Sequence, residues 1–167
     1  EKFMKNKKSG FTLTEMMLTV SIMGFLSAVG AVIFTQSTRN TLVNQAKIDT
    51  QREARTALDI INRSMRQAKA STITVDAETG QPPYSSVTFT AVDDSAWKFY
   101  QSGKSLYSVK NGSTSTLCEN LRYIAFTYSR TDQSNIISVS ITTEEQTYQS
   151  ETKVLQLSVE QVRIMND

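Results

Sequence analysis

Histidine is absent from the 167 residues. Its absence removes the commonest general base and the commonest transition-metal ligand. Also missing are a G-x-S-x-G elbow, a phosphate-binding P-loop and any paired-cysteine motif, so neither an enzyme nor a bound cofactor is expected. Cysteine occurs once, at Cys118, which excludes an internal disulfide. The lone thiol reads either as a small buried hydrophobe or as half of a bond to a partner. Two prolines and six glycines announce no long disordered tract. Neither proline precedes Pro82, so none breaks a helix before that point.

Charge is present but sorted. The net value of +2 combines a head with Lys2, Lys5, Lys7 and Lys8 against Glu1, and a stretch from Arg39 to Lys69 with seven basic and three acidic residues. From Ala70 onward eleven acidic residues oppose seven basic ones. The pattern is a basic head, a basic helix and a mildly acidic tail domain.

Between head and helix lies the longest hydrophobic run. Residues 16–38 carry no charge, and the nineteen from Met16 to Phe34 are strongly apolar. At helical rise they span about 28 Å, close to a bilayer's hydrocarbon core. Lysines on the N-terminal side orient such a helix with its N-terminus in the cytoplasm and the remainder outside. Three processing routes fit: a secretory signal cut near Val29-Gly30-Ala31, an uncleaved signal anchor, or a leader cut ahead of the apolar run. Glu15 separates them. A carboxylate at the entrance of an apolar span is unfavourable, and only the third route gives it a role.

Lys7-Lys8-Ser9-Gly10-Phe11-Thr12-Leu13-Thr14-Glu15 resembles the class III signal of type IV pilins and type II secretion pseudopilins. The resemblance implies cleavage between Gly10 and Phe11 by a prepilin peptidase, N-methylation of Phe11, and a leader whose basic residues include Lys5, Lys7 and Lys8. Thr14 departs from the family, where an aliphatic residue is more usual. Cleavage at Gly10 would remove all four leader lysines and create an amine about one helical turn from Glu15. Cation and anion are each costly in lipid and less so when paired. The pair could form within one subunit or between neighbours, where it would set axial register; the resemblance favours the second. The first residue is Glu, so further leader residues are expected upstream.

Beyond the apolar run, Ala54, Leu58, Ile61, Met65 and Ala68 recur at steps of four and three, the stripe of an amphipathic helix. One helix is expected from Phe11 to about Ala70, its second half covering a sheet; a short coiled-coil seam is the alternative. Gly24 and Gly30 are its weak points. Arg52, Arg55, Arg63 and Arg66 lie largely off the stripe and read as a solvated face, with nucleic acid an unlikely partner.

After Ala70 the period changes to two. Strands are expected around Val87 and Phe89, at Trp97–Gln101, Leu106–Lys110, Leu121–Ser129, Ile136–Thr143 and Val154–Met165, the last with Leu155, Leu157 and Val159 on one face. Asp76–Tyr84 connects helix to sheet, Ser102-Gly103-Lys104 forms a hairpin turn, and Asn111-Gly112 ends a strand. The fold class is α+β: a long N-terminal helix packed on a C-terminal antiparallel sheet. Asp93-Asp94 reads as a turn rather than a calcium loop. Glu144-Glu145 reads as a charged loop. Trp97, Phe99, Tyr100 and Tyr107 fit core and cross-strand packing better than a sugar-stacking surface.

The segments divide as leader 1–10, membrane or filament-core helix 11–38, amphipathic helix 39–70 and extracytoplasmic β domain 71–167. Leu58–Arg66 and Leu121–Tyr128 make the chain most similar to the PilW group or the J-type minor pseudopilins. That likeness implies a non-catalytic, low-copy subunit that primes or caps a pilus or secretion pseudopilus. Its partners would be the prepilin peptidase, other pilin or pseudopilin subunits, the membrane and an inner-membrane assembly platform. The second functional class is a membrane-anchored module that binds a surface, a glycan or DNA.

Overall fold

The computed structural model describes residues 10–130, 133–146 and 153–166. Helix α1 runs from Leu13 to Met65, 53 residues without interruption at Gly24 or Gly30. By contacts the chain forms two units, Glu1–Thr41 and Leu42–Asp167, and α1 passes through both. In the first unit the helix is exposed on every side. Its hydroxyls bond back to carbonyls three or four residues earlier, as in Thr19 to Met16, Ser21 to Met17 and Ser27 to Met23. No side-chain donor in that series depends on water, which suits a helix in lipid.

In the second unit α1 turns amphipathic. Ala54, Leu58, Ile61, Met65 and Ala68 are all buried, joined by Ala57. They share one core with Val87, Phe89, Phe99, Leu106, Phe126, Ile141 and Val162 from the strands. Each fully buried large side chain of this kind contributes about 1.5–3 kcal/mol. The alanines hold little volume and let the helix lie close to the sheets. Past Met65 the backbone donors change partner. Gln67 and Ala68 bond three residues back, then Lys69 N–H donates to the Thr90 carbonyl and Ala70 N–H to that of Asn166. The helix therefore ends five residues short of the expected Ala70, because the sheets take its donors.

Eight strands follow: β1 Thr74–Asp76, β2 Ser86–Thr90, β3 Ala96–Ser102, β4 Ser105–Lys110, β5 Ser113–Cys118, β6 Leu121–Arg130, β7 Gln133–Gln146 and β8 Lys153–Arg163. They form two antiparallel sheets, β1-β2-β3-β4-β5 and β6-β7-β8, where the sequence suggests one. Asn111 and Gly112 both have positive φ, 47° and 86°, the pattern of a type I′ turn. They do not merely end β4 but fold the chain back into β5, a strand of Ser and Thr with little apolar signal.

One expectation for the second sheet changes. Glu144 and Glu145 are not in a loop; they lie in the β7–β8 ladder opposite Leu155 and Val154. In addition, Leu155, Leu157 and Val159 face outward, 53%, 64% and 60% exposed. The inward side of β8 is polar at first. Gln156 accepts from Gln51 at 3.3 Å, and Glu160 accepts from the Asn62 side chain, tying the strand to α1. Val162 and Ile164 then enter the core. Strand alternation admits one face only, so burying those two turns the aliphatic row out.

Candidate processing site and membrane helix

Gly10, Phe11 and Thr12 precede the helix in open backbone. Nothing lies within 4 Å of where a Gly10 side chain would begin, and Phe11 is 79% exposed. The leader residues Lys5, Lys7 and Lys8 lie outside the described residues.

Thr12 is the N-cap. Its carbonyl accepts the first helical bond, from Met16 N–H at 3.2 Å. Glu15 reaches back so that its Oε2 accepts from both the Thr12 backbone N–H and the Thr12 hydroxyl, each at 2.8 Å. Glu15 N–H donates to Thr12 Oγ1 at 3.3 Å, and the hydroxyls of Thr12 and Thr14 are 3.0 Å apart. This is a capping box, T-x-x-E, in which two donors of the first turn are satisfied reciprocally. Glu15 also sits where the helix N-terminus favours a negative charge. Thr12 is the residue the sequence reading passed over, although the spacing at 12–15 carries the signal. The carboxylate therefore has a local role besides any pairing with an amine. Thr14, the family departure, joins the same hydroxyl cluster.

From Leu13 onward the helix is long and apolar enough to cross a membrane, and that stretch is unburied. Met17, Val20, Met23 and Phe34 are exposed along it. Glu15 is therefore set at the start of a lipid-type helix, one turn from the Gly10–Phe11 junction.

Residues 5–31 match the family model described as the prokaryotic N-terminal methylation motif. The chain carries a prepilin-type N-terminus. That motif, with the apolar helix behind it, supports a type IV pilin-like precursor processed by a prepilin peptidase and assembled with other pilin subunits. No curated protein matches the chain.

The other sequence candidates resolve as structure. Asp93 Oδ1 accepts from Ser95 N–H at 3.0 Å and from its hydroxyl at 2.5 Å, and these bonds hold its carboxyl below the usual range. Asp94, at φ 59°, pairs with Lys69 at 2.6 Å. The pair forms a turn. Cys118 is buried and donates to Glu53 Oε2 at 3.4 Å. Burial first, then the nearby Glu53, pushes its thiol up to about 12, so it stays protonated and inert. Phe99 is in the core, Trp97 stacks on it at 5.8 Å, and Tyr100 stacks across the ladder on Tyr107 at 5.4 Å. Lys110 and Lys98 lie over Trp97 and Tyr100, at 4.9 and 5.3 Å. These rings spend their faces on one another and on lysines. Arg52, Arg55, Arg63 and Arg66 are exposed, with Arg66 Nε donating to Asn62 at 3.0 Å.

Proposed function

We propose that the chain is a minor pilin or pseudopilin: inserted with its N-terminus inside, cut between Gly10 and Phe11, methylated at Phe11, and moved from the inner membrane into an extracytoplasmic filament. The observation that carries this reading is the junction. A methylation motif covers residues 5–31, and within it the Gly10–Phe11 bond lies in open backbone ahead of the helix. A protease needs extended substrate, and Gly10 without a Cβ offers it. After cleavage the Phe11 amine is one helical turn from Glu15. Glu15 can then exchange its Thr12 bonds for an ammonium, its own or that of the next subunit. We favour the intersubunit pair, which fixes register as well as charge.

A minor subunit near the tip, of the PilW or J type, is our reading of its place. The single buried cysteine leaves no disulfide-closed C-terminal loop of the kind many major pilins carry. Counting copies per filament by quantitative mass spectrometry tests this. A few per filament fit a tip subunit, and a count comparable to the major subunit contradicts it.

Glu15→Ala tests the mechanism. The variant should insert in the membrane as well as the natural chain, with filament incorporation reduced at least tenfold in sheared fractions. Natural incorporation would show that the carboxylate does not serve assembly.

A further inference from the structure

On the inward side of β7, the hydroxyl of Thr143 donates to the Thr50 carbonyl of α1 at 3.4 Å, joining strand to helix. Two residues on, Glu145 faces the same way. Its Oε2 is enclosed and has no hydrogen-bond partner. The charges that act on it come from α1, where Asp49 and Glu53 sit one turn apart around Thr50. Burial first, then those two carboxylates, raises its carboxyl above the ordinary range. Two carboxylates of this seam also have donors of their own. Glu53 accepts from Cys118 at 3.4 Å, and Glu144, on the outer side of the strand, accepts from Arg122 of β6 at 3.2 Å. On β8 the backbone partner of Glu145 is Val154, and that of Gln146 is Lys153. Among the described residues no three acidic, cysteine or histidine groups are placed to hold a metal ion. Among the described residues no donor meets Glu145 Oε2, and a carboxylate facing two others in this way is relieved by a proton.

We propose that Glu145 is a proton-operated latch between the end of β7 and α1. Protonated, its hydroxyl donates to a carboxylate of α1 and closes the seam. Ionised, three carboxylates repel and the strand end loosens from the helix. An extracytoplasmic domain so built is tightened by mild acid and relaxed by neutral or alkaline surroundings.

The sign follows from linkage. A carboxyl raised in the folded state binds more protons folded than unfolded, so stability is highest at low pH and falls as pH rises through the raised value. Neighbouring shifts act elsewhere: Asp93 is lowered and titrates below this window, and Cys118 titrates above it. The full chain in detergent micelles carries one tryptophan, Trp97, in the β domain, whose fluorescence follows unfolding. As pH rises above the ordinary carboxylate range its Tm should fall. Glu145→Gln should flatten that profile and melt above the natural chain at pH 8. Asp49→Asn should reduce the slope with Glu145 still present, whereas Glu144→Gln should leave it. A Glu145→Gln profile parallel to the natural one overturns the latch. So does an undiminished slope in Asp49→Asn, or a slope lost in Glu144→Gln.

Discussion

At the scale of single residues, Glu15 has donors before any second subunit is considered. Thr12 supplies two hydrogen bonds, and the helix N-terminus supplies a favourable potential. In the proposed assembly, an incoming ammonium would have to compete with Thr12 for this carboxylate. Thr12→Ala should fray the first turn. Amide exchange of residues 13–16, in the full chain in micelles, should become several-fold faster, with no change beyond Gly24. Unchanged protection at 13–16 would mean that the box does not hold the helix start. Cys118 gives a second residue-level expectation. Its thiol rises from 9.0 to about 12 on folding, so the stability it supports is complete below about pH 9 and is lost as pH climbs toward 12. In the folded chain at pH 8, alkylation by iodoacetamide should run at least tenfold slower than in urea-unfolded chain. Equal rates would place the thiol at the surface.

Among the elements, α1 was legible because its signals are long. The uncharged run, the 54–58–61–65–68 stripe and the lack of proline agree on one helix, and five buried stripe residues match it. Its end was less so, since it depends on Thr90 and Asn166, which are remote in sequence. β5 was missed because Ser113–Thr116 are exposed and have no apolar alternation to read. For β8, the alternation of Leu155, Leu157 and Val159 says that they share a face but not which face is inward. Val162 and Ile164 decided that, together with polar partners on α1. The capping box is written in the sequence as T-x-x-E at Thr12–Glu15. A paired substitution checks the strand's orientation. Leu157→Ser, on the outward row, should change stability by less than about 0.5 kcal/mol. Ile141→Ala, buried in the facing strand β7, should cost about 2–5 kcal/mol through the cavity it leaves. Denaturant melts followed by Trp97 fluorescence measure both, and a large loss for Leu157→Ser would reverse the assignment of faces.

For the molecule as a whole, the segments differ in solvent as well as in structure. The uncharged helix bonds the hydroxyls of Thr19, Ser21, Ser27, Thr35 and Thr38 to its own carbonyls and buries nothing by itself, as suits lipid or a filament core. The second unit buries its own apolar stripe and keeps Arg52, Arg55, Arg63 and Arg66 exposed. The proposed passage from membrane to filament would use this division, since the first helix would exchange lipid for protein neighbours while the second unit stays folded. In the proposed function, cutting at the junction ahead of the helix is the step that commits the chain to that path. Co-expression of the full chain with a prepilin peptidase, followed by mass spectrometry of the N-terminal peptide, tests the claim most directly. The account predicts a product beginning at N-methylated Phe11, absent when Gly10 is replaced by a bulky residue. A product beginning at Val32, or an uncut leader beside an active peptidase, would contradict it.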